Sequence, residues 1–381
     1  MKSVKLNNEA EMPIVGLGTW KSKPGEVYQA VRWAIKYGYR HIDCAPIYGN
    51  EKEIGQALAD AMNEGDVKRE ELFVVSKLWN DSHAREDVLP ALQQTLEDLQ
   101  LDYLDLYLMH WPVAQKKGVD LPSSDADMVA SDELPPDVTW AGMEEAHDKG
   151  LARALGVSNF GVKKLGALIE KAETVPSVNQ VENHPLLQQN ELIDFCRRNM
   201  IAVTAYSPLG SGQHQGELNL MENEVIGEIA KRLNITPAQV MIAWQVNRGV
   251  ISIPKSVHPE RIRENFAAQN IELDEEDMKK IATLDRNYRF IDGSAFAYGG
   301  VHRGEHFRIV KALLCGGLFH LMLSRMNLER AASSSHLISI SRTRKYFCIC
   351  VGIFTKSLAV VKRRASLLRA LSMRRFSSAA V

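Results

Sequence analysis

The chain is poor in cysteine. Its 381 residues contain five, and the first 300 hold only Cys44 and Cys196. Two isolated thiols build no paired framework, which excludes a disulfide-stapled secreted scaffold and fits a reducing compartment. Long apolar runs are missing as well. The nearest, at 309–324, is broken by Lys311 and His320 and falls short of the ~18 residues that a bilayer span needs. The opening MKSVKLNNEAEMPIVG lacks the apolar stretch of a secretory signal. These absences lead us to expect a soluble, cytoplasmic protein with no membrane span. Several motifs are missing too. There is no P-loop and no HExxH, and GLGTWK at 16–21 starts like a dinucleotide fingerprint but lacks its third glycine. Cys348-Ile349-Cys350 has no neighbouring ligands, so no metal site is expected. The sequons at Asn80 and Asn234 carry no weight without a sign of secretion.

Charge is present but divided. The formal net charge is −1, yet residues 301–381 hold 15 Lys and Arg against Glu305 and Glu329 alone. The first 300 residues therefore carry a net −14. Such asymmetry separates two segments with different histories or roles. We read 1–300 as the folded domain and 301–381 as a basic, Ser-rich tail that forms no second domain. The tail's apolar stretches are short, and a fold of ~80 residues needs a well-patterned core. It resembles a transit sequence in composition but stands at the wrong end. A basic amphipathic helix on anionic membrane is a second reading. Nucleic-acid binding is disfavoured, because no recognition motif is interleaved. A frameshift or read-through intron in place of the true C-terminus explains the reversal of charge best.

Between residues 15 and 284 one pattern repeats. Short apolar runs at 15–19, 40–44, 72–77, 103–110, 153–158, 177–182, 201–207 and 250–254 alternate with longer amphipathic segments. In GEVYQAVRWAIKYG the residues Val27, Ala30, Val31, Ala34 and Ile35 fall on one helical face. Thr236-Pro237-Ala238-Gln239 reads as an N-cap, a proline at the first helical position and a capping-box glutamine. Eight strands strictly alternating with helices predict an α/β fold, a (β/α)8 TIM barrel. VKLNNEAEMPIV at the start predicts a β-hairpin that plugs the barrel bottom. Residues 112–138 show no period and are expected to form a long loop after the fourth strand, at the catalytic face.

Polar residues gather at the predicted strand ends. Asp43 ends strand two and Tyr48 follows it, Lys77 ends strand three and His110 strand four. Ser158 and Asn159 end strand five, Gln180 lies near the end of strand six, and Tyr206 and Ser207 end strand seven. A free tyrosine, with a pKa of ~10, yields its proton poorly at neutral pH. An ammonium beside it favours the phenolate, so Lys77, held by Asp43, is expected to lower the Tyr48 pKa. Tyr48 then serves as general acid toward a developing alkoxide, and His110 donates a second hydrogen bond to the same oxygen. Any one of these residues alone reads as part of a structural ion pair or a core position; four at four strand ends do not. Lys255, Ser256 and Arg261 bring two cations and a hydroxyl to a helix start, a suitable place for phosphate. Aromatic residues are only 7% of the chain, yet Trp20, Trp79 and Trp111 each follow a strand end, where pocket walls are expected. His147, His184 and His258 read as structural or surface groups.

The motifs GYRHIDCAPIYGNEKEIGQAL at 38–58, LFVVSKLWN at 72–80, LDYLDLYLMHWP at 101–112, ALGVSNF at 154–160, TAYSPLGSG at 204–212 and IPKSVHPERIRENF at 253–266 are long and in order. With the periodicity between them, the chain resembles the aldo-keto reductase superfamily over about 3–294, near its aldehyde reductase and aldose reductase branch. The resemblance implies a monomeric barrel that binds NADPH in extended form. It implies Tyr48 as acid, with Asp43, Lys77 and His110 as partners. Trp20, Tyr48, Trp79, His110 and Trp111 would meet the substrate. Thr19, Trp20 and Asp43 would lie near the nicotinamide and its ribose; Ser158, Asn159 and Gln180 would hold the carboxamide, and Tyr206 would stack on the ring. Ser207, Leu209 and Ser211 would line the pyrophosphate. Lys255, Ser256, Val257 and Arg261 would surround the 2′-phosphate, with Glu264 and Asn265 at the adenine. The loop after Ser211 is shorter than the family's cofactor-covering loop, and the family's C-terminal segment is not recognisable after RFIDGSAFAYGG. The expected reaction is NADPH-dependent reduction of aldehydes, and of some ketones or aldoses, to alcohols. The alternatives are a non-catalytic NADPH-sensing barrel and a reductase dedicated to one sugar, glycerol or keto-acid metabolite.

Overall fold

Short runs of buried apolar residues form the strands, and longer amphipathic stretches wrap them. A computed structural model describes residues 1–212, 218–291 and 293–296; the basic tail and most of the loop after Ser211 lie outside the described residues. Strands β1 (Ser3–Lys5) and β2 (Glu11–Pro13) pair as an antiparallel hairpin. The central sheet follows, formed by β3 (Leu17–Gly18), β4 (His41–Asp43), β5 (Phe73–Leu78), β6 (Leu106–Met109), β9 (Leu155–Ser158), β10 (Val178–Glu182), β11 (Ala202–Tyr206) and β12 (Ile251–Ser252). All eight run parallel in the order β12-β11-β10-β9-β6-β5-β4-β3. Bridges from Val15 to Ser252 and from Gly18 to Lys255 join first strand to last, so the sheet closes into the expected (β/α)8 barrel.

That seam explains the glycines of GLGTWK. The Gly16 N–H donates to Ser252 O at 2.9 Å, and Gly18 N–H to Pro254 O at 3.2 Å. A Cβ on Gly16 would stand 2.4 Å from His41 Nδ1, and one on Gly18 2.6 Å from Ile253 O. The glycines serve strand closure rather than a phosphate loop. Below, the hairpin seals the barrel. Met12 and Leu6 are buried, and Asn7 Nδ2 donates to Val175 O and Pro176 O at the lower edge of β10.

Ten helices surround the barrel among the described residues: α1 (Glu26–Lys36), α2 (Glu51–Asn63), α3 (Arg85–Leu99), α4 (Pro136–Asp148), α5 (Val162–Ile169), α6 (Asn190–Arg198), α7 (Glu224–Leu233), α8 (Pro237–Asn247), α9 (Pro259–Ala267) and α10 (Glu275–Ala282). Helix α1 buries Val27, Ala30, Val31, Ala34 and Ile35, the stripe read from its spacing. The Thr236 capping box is formed: Gln239 N–H donates to Thr236 Oγ1 at 3.2 Å and Thr236 N–H to Gln239 Oε1 at 3.0 Å. Two features depart from expectation. Helices α7 and α10 are additional to the one-helix-per-strand pattern and enclose a second apolar cluster with α8, around Ile229, Trp244 and Ile281. The loop at 112–138 contains its own hairpin, β7 (Ala114–Gln115) with β8 (Met128–Val129), and ends early at α4. Two-residue strands are too short to print a period.

Helices α2 and α3 pack closely at Gly55, where a Cβ would lie 2.4 Å from Asp98 O and 2.8 Å from Leu99 Cα. Backbone cannot yield as a flexible side chain can. Gly55→Ala should therefore destabilise by about 1–3 kcal/mol, the cost of overpacking, despite the ~1 kcal/mol that alanine's helix propensity favours. Urea denaturation checks this; an unchanged or raised midpoint would mean that the helices part at no cost.

Candidate active site

The C-terminal strand ends bring a buried ion pair to the barrel mouth. Lys77, on β5, is fully buried, and its Nζ donates to Asp43 Oδ1 at 2.7 Å and to Cys44 O at 2.7 Å. The other Asp43 oxygen accepts from Gln180 Nε2 at 2.7 Å. Thr19 Oγ1 donates to Asp43 O at 2.7 Å, and Asn50 Nδ2 to Thr19 O at 3.0 Å, so the ends of β3, β4, β5 and β10 are tied together. Burial opposes the charge on Lys77, but Asp43 and Tyr48 together outweigh it and the ammonium is held above its ordinary range.

Tyr48 follows β4 in a short turn before α2. The Lys77 Nζ lies 5.2 Å from its ring centroid. The His110 ring stands edge-on to it at 5.9 Å, and Trp79 lies 5.0 Å from His110. The expected lowering of the Tyr48 pKa is not the net result. Burial dominates and pushes the phenol up to about 12; Lys77 acts against that burial. Tyr48 therefore stays protonated at neutral pH. Burial, helped by Lys77, drives His110 well below the ordinary histidine range, so its ring is neutral.

The amide-bearing residues form a second cluster joined to the first through Gln180. Ser158 Oγ donates to Gln180 O at 2.8 Å, Asn159 Nδ2 to His110 O at 2.9 Å, and the Tyr206 hydroxyl to Asn159 Oδ1 at 2.8 Å. Asn159, Ser207 and Ser211 adopt φ of 64°, 48° and 59°, a left-handed backbone that favours glycine and is concentrated at functional sites. Leu209, between the two serines, packs on the core. The third group stands apart, past β12. Lys255 and Arg261 are exposed and make no ion pair with any described residue, while Ser256 is buried and its Oγ accepts from His258 N–H at 3.2 Å. Val257 is partly buried; Glu264 and Asn265 lie on α9, Asn265 buried.

The mouth has aromatic walls. Trp20 lies 6.4 Å from Tyr48. Trp79 and Trp111 pack with Phe296, at 6.1 and 4.9 Å, in a cluster with Ile47, Val113 and Met128. Phe296, Ile47, Val113 and Met128 were not read from the sequence: they sit in short turns, a two-residue strand and loop, too short to show a period, and only proximity to the tryptophans' strand ends offered a signal. Glu51 was missed too. It is buried on α2 and accepts from Ser76 Oγ at 2.6 Å, one residue before Lys77.

A parallel eight-stranded barrel with tyrosine, lysine, aspartate and histidine at its C-terminal mouth is the architecture of a barrel reductase. The chain belongs to the aldo/keto reductase family, whose model matches residues 14–286. It is 48% identical over 306 residues to an aldo/keto reductase of Synechocystis sp., covering 79% of this chain and 94% of that one. It is 49% identical over 294 residues to aldo-keto reductase family 1 member A1 of Sus scrofa, covering 76% and 90%. Among solved structures, the aldose reductase of Schistosoma japonicum superposes with a TM-score of 0.75 at 38% identity, over 81% of this chain and all of the other. A Bombyx mori aldo-keto reductase solved in complex with NADP gives 0.72 at 38% identity, over 79% and 98%.

Four buried groups, three histidines and a glutamate, make stability depend on pH. Burial pushes His41 and His83 down to about 4. Their neutral forms favour the fold above the ordinary histidine pKa, and that contribution is lost as pH falls toward 4. Glu51 is pushed up to about 7 by burial, so acidification relieves a cost there. With His110, likewise held neutral by burial, three histidines outweigh one glutamate. Unfolding free energy should fall by at least about 3 kcal/mol between pH 7 and pH 4, read from urea midpoints. A flat profile would show that the histidines reach water.

Proposed function

We propose that the chain is an NADPH-dependent carbonyl reductase that converts aldehydes, and some ketones or aldoses, to alcohols, with Tyr48 as the proton donor. The observation that carries this reading is the placement of Tyr48 beside the buried Lys77–Asp43 pair, with the His110 ring edge-on to it. A carbonyl oxygen seated between Tyr48 and His110 accepts two hydrogen bonds, and both strengthen as the oxygen gains charge. Tyr48 then transfers its proton, and the fixed Lys77 ammonium stabilises the phenolate left behind. Asp43 keeps that ammonium in place. The aromatic walls exclude water and favour aldehydes with apolar substituents.

The remaining groups fit NADPH. Two exposed cations with no carboxylate partner among the described residues, Lys255 and Arg261, suit a 2′-phosphate beside the start of α9. Ser158, Asn159 and Gln180 offer a polar edge for a carboxamide, and Tyr206 a ring face. Ser207, Leu209 and Ser211 would pass along the pyrophosphate, with Glu264 and Asn265 toward the adenine. When bound, NADPH supplies the hydride that reduces the carbonyl carbon. In this reading residues 1–300 are the catalytic unit.

Tyr48→Phe removes the proton and keeps the ring. It should lower kcat by at least ~100-fold, the scale of general acid catalysis, and leave the NADPH Kd nearly unchanged by fluorescence titration. More than about a tenth of wild-type turnover would place the proton donor elsewhere. Wild-type protein that binds NADPH and reduces no aldehyde would favour the sensing barrel.

Arg261→Ala should weaken NADPH by roughly 1–3 kcal/mol, the range for a hydrogen bond to a charged group, and barely alter NADH. Equal losses for the two cofactors would remove Arg261 from the 2′-phosphate.

A further inference from the structure

A second carboxylate is buried at the same barrel mouth. Glu182 ends β10, two residues beyond Gln180 and so on the same face of the strand, and is fully buried. Its Oε1 accepts from Phe290 N–H at 2.7 Å and its Oε2 from Ile291 N–H at 3.1 Å. His184 Nε2 lies 3.0 Å from Oε1. The two N–H donors are successive backbone amides in an irregular segment that follows α10. Upstream, Tyr288 N–H and Arg286 N–H both donate to Leu186 O, so this segment returns along the end of β10. The Phe290 ring rests 4.7 Å from the His184 ring, and a Cβ on Gly210 would meet Phe290 at 3.0 Å. Phe290 is thus wedged between β10 and the loop after β11.

From Ile291 the chain runs five residues to Phe296, which is buried against Trp79 and Trp111. Five residues span at most about 17 Å, so fixing residue 291 confines where Phe296 can stand. We propose that Glu182 is a positioning residue for substrate selectivity: by clamping the Phe290 and Ile291 amides it holds Phe296 in the aromatic wall. The inference rests on the reductase reading for what the wall selects, namely aromatic over small aliphatic aldehydes. A carboxylate is required because both of its oxygens accept. A glutamine offers one acceptor and turns its NH2 toward the other N–H.

Glu182→Gln, Ile291→Pro and Phe296→Ala, alone and the first and last combined, test this in the full chain. Ile291→Pro deletes one donor without touching the barrel, and so serves if Glu182→Gln fails to fold. With saturating NADPH, the ratio of kcat/KM for benzaldehyde to that for propanal should fall about fivefold to tenfold in each, the worth of an aromatic contact. The propanal value should stay within about threefold of wild type, since an exposed or loosened wall matters little to a small substrate. Glu182→Gln combined with Phe296→Ala should lose no more selectivity than Phe296→Ala alone. Hydrogen exchange should speed at the amides of 290 and 291 in Glu182→Gln, and at that of 290 in Ile291→Pro, which has no amide hydrogen at 291. Unchanged exchange, an unchanged ratio, or equal loss for both aldehydes would overturn the proposal. Wild-type protein inactive on both aldehydes would instead defeat the reductase reading, and exchange would still decide whether Glu182 is the clamp.

Discussion

The ion pair between Lys77 and Asp43 is the constraint on which the mouth depends. Both partners are withdrawn from water, at 0% and 3% side-chain exposure. Removing an ion from water costs several kcal/mol even after relaxation, and the attraction of the pair alone does not reliably offset it. Here further hydrogen bonds offset part of that cost. Lys77 also donates to Cys44 O, and the free oxygen of Asp43 accepts from Gln180. These bonds can form only if β4, β5 and β10 arrive in register, so the chemistry of the pair specifies the geometry of three strands at once. A fixed ammonium beside Tyr48 is the consequence. It does not make the phenol a strong acid, because burial wins; it limits how unfavourable the phenolate is.

Strain is placed where that arrangement ends. Asn159 and Ser207 take left-handed backbone at the ends of β9 and β11, next to the hydrogen bonds linking Asn159 to His110 and Tyr206. Such residues persist only where the surroundings over-determine them. The rigid barrel supplies that determination from below. Its bottom, by contrast, carries none of this polar chemistry: the hairpin there is held by the Asn7 side chain on backbone carbonyls and by buried Met12 and Leu6.

The barrel was legible in the sequence because parallel strands buried on both faces read as continuous apolar runs, and helices as 3.6-residue stripes. The four residues at the heart of the mouth were legible for a related reason: in a barrel, strand ends converge, so a polar residue closing an apolar run declares its place. Tyr48 was reached because its turn directly follows such an end. Legibility stopped where period stops. The β7–β8 hairpin has two residues per strand, too few for alternation to appear. Phe296 closes a single 3-10 turn, and nothing local marks it as a wall rather than a surface residue. The sign of the Tyr48 shift also escaped, since spacing reveals a neighbouring charge but not the depth of burial that opposes it.

Glu51 and Glu182 show the same limit from another side. Each is a carboxylate in a helix start or strand end, where sequence alone suggests a solvated group. Both are buried, and both accept from groups distant in sequence: Ser76 for Glu51, and the amides of Phe290 and Ile291 for Glu182. Buried carboxylates are tolerated only when paired or well hydrogen-bonded. Each therefore marks a place where the fold demands one particular approach of two segments. Glu51 fastens the start of α2, just past Tyr48, to the strand that carries Lys77. Glu182 fastens the chain leaving the barrel to the strand that carries Gln180. The mouth is thus assembled from loops, but its loops are pinned from behind by carboxylates that never reach the reacting atoms.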